Sequence, residues 1–438
     1  MIESRANAPV ISRRTALAGL AATFAIGADC LSARAAEDAT EDATEAGGGA
    51  VFSASGPKAE IYGAAENYPI KDPTLPFIPG NPLSQKYRVG AFSHFDKLFP
   101  TRQINRAASP WSFKRVQMPD PLRKRATDYL SRNPVTGLLI AKGDEILFEH
   151  YQYGRTDRDL LISQSMVKSI TGILIGIAIA DGIIKSVDDT AETYVPGFKG
   201  AEYGKTTIRD LLHMSSGVEF GEESNGERDL NRLWIDMIAN GQSSEKGTVG
   251  SITQFNRRIA PPGTKFSYAS IEADVLAIVL RYAINKPLSD YLHQKIWSRI
   301  GAEADAKWLI DAQGLEVGHF GFNAVLRDYA RLGRLLAHDG GWEGEQVIPV
   351  QWMIDATTVR NSDAYLLPGR AMAPQPFGYG YLLWLLPGAR RQFALVGGLG
   401  QRLCIDPASK LVMVQTAVEN TPEFWRLWAA AVEQLGNA

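Results

Sequence analysis

Residues 165–184 read SMVKSITGILIGIAIADGII, and this stretch indicates both a buried helix and a chemical site at its beginning. Ser165 and Lys168 are three residues apart, which on an α-helix places their side chains on one face, one turn apart. The start of a helix also offers unpaired backbone N–H groups and the positive end of the helix dipole. An oxyanion can be tolerated there, so the stretch predicts a serine nucleophile assisted by a lysine.

The spacing Ser-x-x-Lys alone is weak evidence, because it occurs three times, at Ser55–Lys58, Ser165–Lys168 and Ser243–Lys246. The first copy contains Gly-Pro and the last lies in the polar loop 241–247. Only the copy at 165 leads into an apolar helical pattern, and context therefore selects it. The alternative for this copy is a surface serine that caps a core helix, with Lys168 in solvent.

Length and composition are those of an ordinary soluble globular protein. The chain has 438 residues, of which 45% are hydrophobic and 21% charged, enough to bury a large core in one or two domains. The 46 Lys and Arg against 48 Asp and Glu give a formal net charge of −2. Without a basic excess, neither nucleic acid nor an anionic membrane surface is indicated as a partner.

The first 35 residues predict an export signal of the twin-arginine type. Arg13 and Arg14 precede an apolar stretch over 16–28, and the small-residue site Ala33-Arg34-Ala35 follows. The apolar stretch is shorter than the roughly 20 helical residues that span a bilayer. The sequence therefore predicts export, to the periplasm, of a protein that has no membrane attachment once the signal is removed.

Residues 36–85 predict an unstructured connection. Glu-Asp-Ala-Thr occurs twice between Glu37 and Thr44, and five prolines fall between Pro69 and Pro82. Such segments form an acidic, disordered linker and an extended arm rather than helices or central strands. The folded domain is expected to cover residues 86–436.

Several motifs are absent, and the absences exclude classes of site. The sequence contains no Gly-x-Ser-x-Gly elbow, no His-Glu-x-x-His and no nucleotide-binding glycine loop, and its six histidines lack ligand spacing. Of its two cysteines, only Cys404 remains after removal of the signal. We expect no metal, no organic cofactor and no disulfide framework. His213, near the end of a predicted helix, is interpreted as a structural histidine.

Strand patterns near both ends of the chain enclose a mainly helical middle. Hairpins are predicted at 137–149 and 402–417, and an amphipathic helix at 422–435. The helical patterns between them are Met166–Ala180, Ile208–His213, Ile271–Ile284 and Ala324–Leu336. This order predicts an α+β fold: one antiparallel sheet from both termini, flanked by helices, with an inserted helical lobe at approximately 165–320. A cleft between the two parts is the expected place for a site.

Two further segments carry candidate chemistry. Residues 261–270, PPGTKFSYAS, place Tyr268 between small residues at the head of a helix, where its hydroxyl could enter a cleft. The alternative is a half-buried tyrosine that packs by its ring. Residues 395–401, LVGGLGQ, place Gly397 and Gly398 where another molecule could approach the backbone closely. The alternative there is a bulge or a tight turn.

The order of these three segments resembles that of the serine β-lactamase and penicillin-recognising superfamily, in its class C-like branch. Within that branch the chain is most similar to the 6-aminohexanoate-dimer hydrolases and related serine esterases. The likeness covers roughly 89–436. Supporting stretches are TIRDLLHMSSG at 207–217, FGYGYLLW at 377–384 and Asp406-Pro407 after the glycine segment.

The resemblance implies a β-lactamase/transpeptidase-like fold and a serine hydrolase that cleaves small amides or esters through an acyl-enzyme on Ser165. Lys168 and Tyr268 would share the general base and acid roles, and the backbone N–H groups of Ser165 and Gly398 would form the oxyanion hole. Substrate-binding residues are expected at Ser270, Tyr379 and Trp384, with packing the better interpretation for most of the aromatic residues there.

Two departures from the family pattern bear on the substrate. Leu395 stands where the family usually has Lys or His, a residue that helps bind the carboxylate of β-lactams, and Ser270 stands where β-lactamases more often have Asn. Both favour an esterase or amidase. A β-lactamase, a peptidase for D-amino acids and a non-catalytic binding protein with the same fold remain alternatives, and nothing in the sequence indicates an oligomeric state.

Overall fold

Helices pack on both faces of one large, mainly antiparallel sheet. The structure, a computed structural model, describes residues 49–63, 85–222, 229–239, 247–370 and 373–436. The predicted signal over 1–35, the acidic repeat and the Pro-rich arm lie outside the described residues, as does the Ser243–Lys246 copy of the motif. Within the described ranges, no helix is long and apolar enough to cross a membrane.

The described residues contain fifteen strands. They are β1 (Val51–Phe52), β2 (Thr101–Ile104), β3 (Lys114–Arg115), β4 (Val135–Lys142), β5 (Glu145–Tyr151), β6 (Leu161–Ile162), β7 (Ala306–Leu309), β8 (Phe322–Ala324), β9 (Gly341–Trp342), β10 (Glu345–Gln346), β11 (Gly378–Tyr379), β12 (Trp384–Leu385), β13 (Phe393–Gly397), β14 (Gln401–Asp406) and β15 (Leu411–Ala417).

The same residues contain thirteen α-helices. They are α1 (Ala59–Tyr62), α2 (Arg88–Ser93), α3 (Phe95–Leu98), α4 (Asp120–Leu130), α5 (Met166–Ala180), α6 (Ile208–Leu212), α7 (Asp229–Trp234), α8 (Gly247–Ile252), α9 (Ser270–Ile284), α10 (Leu288–Leu292), α11 (Leu326–Ala337), α12 (Val350–Thr357) and α13 (Phe424–Leu435). Five short 3₁₀ turns lie at Gln85–Tyr87, Ala191–Thr193, Pro196–Phe198, Asn361–Leu366 and Gly398–Gly400, and π-helical turns lie at Ile235–Ala239 and His293–Trp297.

The central sheet joins strands from the two ends of the domain. Its order is β1-β5-β4-β15-β14-β13-β12-β11, with β3 also paired to β5. The antiparallel pairing of β15 with β4 sets Val412 opposite Ala141 and Val414 opposite Leu139, which brings the two predicted hairpins side by side. The predicted α+β fold with a sheet from both termini is thus confirmed.

Both faces of the central sheet are covered, which explains the near-continuous apolar runs of its strands. Along β4, Leu138 and Ile140 face the core formed with α4 and α13. The alternate residues Leu139 and Ala141 face the larger core, which includes α5, α9 and α11. Because side chains alternate along a strand, one apolar run supplies both cores.

Helix α5 is the central element of the helical part. All its residues from Met166 to Ala178 are buried, as expected for a helix that is apolar on every side. Packing explains the glycine at position 176, since a Cβ there would lie 2.2 Å from the indole of Trp352. The predicted lobe at 165–320 contains α5 to α10 and also β7, which pairs with β2 and β8 in a second, four-stranded sheet.

The prediction of a disordered connection over 36–85 is wrong for residues 49–63. There β1 adds to the edge of the central sheet beside β5, and α1 follows. The ring of Phe52 stacks on Tyr151 at 5.4 Å, and Tyr62 is buried. A two-residue strand held by a few aromatic contacts is too short to show a periodic pattern, so the sequence could not reveal it.

Candidate active site

Ser165 lies in the short turn between β6 and α5. The preceding residue, Gln164, has the left-handed conformation with φ 48°, which turns the chain sharply into the helix. Ser165 occupies the N-cap position, but its side chain makes no capping hydrogen bond. Its hydroxyl instead accepts a hydrogen bond from Lys168 Nζ at 2.8 Å. The alternative of a capping serine beside a solvated lysine is therefore wrong.

Lys168 is a buried side chain within the first turn of α5. Its side chain is among the largest that are fully buried, with the residue 2% exposed, and Ser165 is 5% exposed. The ammonium donates to Ser165 Oγ and to the backbone carbonyl of His319 at 3.0 Å. The pair is thus removed from bulk water, where a lysine and a serine would have little influence on each other.

Tyr268 comes to the same place from a distant part of the chain. The extended segment before α9 leaves its ring half-buried, with Lys168 Nζ 5.0 Å from the ring centroid. The other neighbour is the indole of Trp384, whose centroid lies 5.8 Å away. The structure therefore places the ring of Tyr268 beside Lys168, which itself contacts Ser165.

The glycine segment after β13 lies directly against the turn that carries the serine. A Cβ on Gly397 would lie 2.4 Å from the carbonyl oxygen of Ser163 and 2.9 Å from Cβ of Gln164, so only glycine fits. The next residue, Gly398, begins a 3₁₀ turn in which Leu399 is left-handed with φ 58°. The close approach predicted for this segment is thus made by the protein's own backbone.

Of the predicted substrate-binding residues, only Trp384 retains exposed surface beside Tyr268. Ser270 is buried, and its hydroxyl and N–H both donate to the carboxylate of Glu222, at 2.5 and 2.8 Å. Tyr379 is buried against Phe266, with ring centroids 4.8 Å apart. Ser270 and Tyr379 therefore support the site by packing and capping and offer little surface to a substrate.

Glu222 is a contributor that the sequence analysis missed. Ala269, at the N-cap of α9, has no side chain to bind the free N–H groups there. The Glu222 carboxylate supplies that function from another segment, at the positive end of the helix dipole. A helix start without a capping side chain indicates that some other group binds the free N–H groups. The local sequence does not show which distant carboxylate does so.

Glu272, in the first turn of α9, was also missed. The side chain is fully buried and accepts a hydrogen bond from Ser216 Oγ at 2.6 Å, while its second oxygen has no hydrogen-bond partner among the described residues. Burial raises the pKa of Glu272 from 4.5 to about 8, although the Ser216 hydroxyl lowers it. The group is therefore a neutral carboxylic acid at pH 7.

Replacement of Glu272 by glutamine is expected to flatten the pH dependence of stability. Glu272 ionises near pH 4.5 in the unfolded chain and only near pH 8 in the folded chain. Its contribution to the free energy of unfolding is therefore fully present below pH 4.5 and is lost as the pH rises from 4.5 to 8. At pH 7 the loss is about 3 kcal/mol. Melting temperatures measured between pH 5 and 8 should diverge, with wild type falling further than Glu272→Gln; parallel curves would contradict the assignment.

His213 has a structural role, as predicted. It is buried with its ring 4.9 Å from that of Tyr381, and burial lowers its pKa to about 3, helped by the nearby Arg209 and Arg360. The histidine is thus neutral and packed. In the described part of the chain, no three His, Cys, Asp or Glu side chains lie together as a metal site would require.

Two residues outside the predicted motifs, Asp274 and His319, form a hydrogen-bonded pair beside Lys168. The carboxylate of Asp274, on α9, accepts hydrogen bonds from the N–H of Gly318 at 2.9 Å and from Nδ1 of His319 at 2.7 Å. His319 in turn offers its carbonyl oxygen to Lys168. Neither residue belongs to a recognisable local pattern, because 45 residues separate them along the chain.

Proteins with similar sequences or folds include 6-aminohexanoate-dimer hydrolases and a carboxylesterase. The 6-aminohexanoate-dimer hydrolase of Paenarthrobacter ureafaciens is 25% identical over 338 residues, which cover 76% of this chain and 86% of that protein. A solved structure from Bacillus anthracis that is named for the same activity has a TM-score of 0.70 and 22% identity over 82% of this chain and 95% of its own.

A family VIII carboxylesterase shares the fold at lower similarity, with a TM-score of 0.54 and 16% identity over 72% of this chain and 95% of its own. The family model described as Beta-lactamase matches residues 124–436, which include Ser165, Lys168, Tyr268 and Gly398. That match spans most of the folded domain and the whole of the site just described, and on this ground the chain belongs to the beta-lactamase family.

Proposed function

We propose that the protein is a serine hydrolase that cleaves the amide or ester bond of a small substrate through an acyl-enzyme on Ser165. The observation that carries the proposal is the buried hydrogen bond of 2.8 Å between Lys168 Nζ and Ser165 Oγ. A buried lysine with no carboxylate among its two described acceptors is well placed to exchange a proton with the hydroxyl.

In the first step Ser165 Oγ attacks the substrate carbonyl carbon while its proton passes to the Lys168/Tyr268 pair, one member of which must enter the step unprotonated, either Lys168 as the free amine or Tyr268 as the phenolate. The carbonyl π electrons move to oxygen, and the resulting oxyanion is bound by the N–H groups of Ser165 and Gly398. Each such donor is typically worth about 3 kcal/mol in the transition state. The contact of Gly397 with Ser163 supports this placement, since it holds the two backbone segments together.

Collapse of the intermediate breaks the bond to the leaving group, which takes a proton from Tyr268. An amine leaves poorly without that proton, whereas an activated alcohol leaves readily. In the second step the same pair removes a proton from water, the hydroxide attacks the acyl carbon, and Ser165 Oγ recovers its hydrogen as the acid departs. No metal or organic cofactor takes part in this scheme.

The substrate class is proposed to be short amides or esters rather than β-lactams. Leu395, where the family usually has a cation, is buried in β13 and cannot bind a carboxylate. Trp384 and Tyr268 instead present aromatic surface at the site. The relatives named as a 6-aminohexanoate-dimer hydrolase and as a carboxylesterase support the same direction.

A panel of substrates with the purified full chain tests the proposal. We expect labelling by a fluorophosphonate probe and turnover of a short p-nitrophenyl ester and a short amide, with nitrocefin hydrolysed well below about 10⁴ M⁻¹s⁻¹. Failure of the probe to label would favour the non-catalytic binding protein. Nitrocefin turnover above that value, or preferential cleavage of a peptide ending in D-Ala-D-Ala, would favour the β-lactamase or the peptidase.

A further inference from the structure

The position of Lys168 depends on a backbone carbonyl. Its ammonium has two described acceptors, of which Ser165 Oγ is the reacting atom and the His319 carbonyl oxygen is not. A lysine ends in a compact charge on a stem with four rotatable bonds, so a fixed acceptor is needed to hold the charge at one point. With the residue 2% exposed, bulk water is poorly placed to act as that acceptor.

Residues 318–319, between β7 and β8, are in turn held against α9. The Asp274 carboxylate accepts both the Gly318 N–H and the His319 Nδ1–H, and Asp274 and His319 are 1% and 5% exposed. A Cβ on Gly318 would lie 2.3 Å from the carbonyl oxygen of Ala273, so this segment touches the helix backbone directly. The two hydrogen bonds hold the Gly318 backbone and the His319 side chain, and so position the residue whose carbonyl oxygen accepts from Lys168.

We propose that Asp274 is a positioning residue for the reaction: through Gly318 and His319 it sets the carbonyl that holds Lys168 at Ser165. The inference rests on the proposed hydrolase function. Tyr268 lies two residues before α9 and Asp274 is the fifth residue of that helix, so the start of one helix lies close in sequence to both the phenol and the residue that sets the acceptor of the lysine. A misplacement of about 1 Å in such a constellation costs on the order of 10²-fold in rate.

The test compares Asp274→Ala with Asp274→Asn. Asparagine keeps an oxygen for the Gly318 N–H and can donate to His319 Nδ1 in the other tautomer of the ring. We expect Asp274→Ala to lower kcat by roughly 10- to 100-fold on ester and amide alike, with KM changed by less than about twofold, and to slow fluorophosphonate labelling in proportion. Asp274→Asn should recover activity to within a few-fold of wild type, on the order of 1 kcal/mol or less.

Asp328→Ala is the matched control for stability. Asp328 is also a buried carboxylate that accepts two backbone N–H groups, those of Glu303 and Ala304, and it pairs with Arg331 as well, but it lies on α11, outside the proposed site. We expect it to lower the melting temperature without lowering kcat. If Asp274→Ala does not fold, His319→Ala, which leaves the Gly318 tether and the carbonyl in place, is expected to show a smaller loss of kcat at unchanged KM.

Three results would overturn the inference. The first is wild-type kcat in the folded Asp274→Ala variant or, if that variant does not fold, in His319→Ala. The second and third are a fall in kcat in Asp274→Asn, or in Asp328→Ala, as large as that in Asp274→Ala. Each leaves the proposed function intact provided that wild type turns over substrate. A wild-type protein that is neither labelled nor active would instead refute the proposed function itself, so the two failures are distinguishable.

Discussion

The Ser165→Ala variant is expected to lose essentially all hydrolysis of a p-nitrophenyl ester, a fall in kcat of about 10⁴-fold or more. The variant lacks the only atom that can form the acyl-enzyme in the proposed scheme, and Lys168 then has no hydroxyl to activate. The hydroxyl does not cap α5, so its removal should cost little stability. Steady-state kinetics and a melting curve on the same preparation measure both effects.

Ser55→Ala is the natural control for this variant. Ser55 belongs to another Ser-x-x-Lys copy of the same chain, but it is exposed, and Lys58 pairs with Glu419 instead of contacting a serine. We expect wild-type kinetics from Ser55→Ala. Wild-type ester turnover by a folded Ser165→Ala variant would remove the basis of the assignment, since the nucleophile would have to be another residue.

Tyr268→Phe is expected to separate amide from ester cleavage. Loss of a general acid typically costs about 10²- to 10⁴-fold, and that cost should appear in full for an alkyl amide, whose amine must be protonated to leave. A p-nitrophenyl ester with the same acyl group should lose less, because its leaving group departs as an anion. The phenyl ring keeps the contacts with Lys168 and Trp384, so the site retains its shape.

The comparison requires kcat for both substrates in wild type and variant. Tyr282→Phe serves as the control, because Tyr282 lies near the far end of α9, the helix that follows Tyr268, and is 47% exposed. We expect it to leave both activities unchanged. Equal losses on amide and ester in Tyr268→Phe would argue against Tyr268 as the acid that protonates the leaving group, and would assign it a positional role.

Much of the fold was readable from the sequence because local patterns determine it. The hairpins that became β4–β5 and β14–β15, and the helices α5 and α9, were predicted to within a few residues of their observed bounds. Each has a continuous apolar run or a strong period, bounded by turn residues, and such elements depend little on their surroundings. Residues 49–63 lacked a pattern of this kind, and their strand was missed.

The sequence by itself determined the central elements of the sheet and the buried helix, and it predicted the alcohol, the amine and the phenol of the proposed site. Only the tertiary structure decided that Ser165 and Lys168 are buried together, that Gly397 contacts Ser163, that Glu222 binds the start of α9, and that Asp274 holds His319 beside Lys168. The physical reason is that a hydrogen bond between residues tens of positions apart depends on how helices and strands pack. A buried carboxylate that meets its donors across such a distance leaves no trace in the spacing of its neighbours.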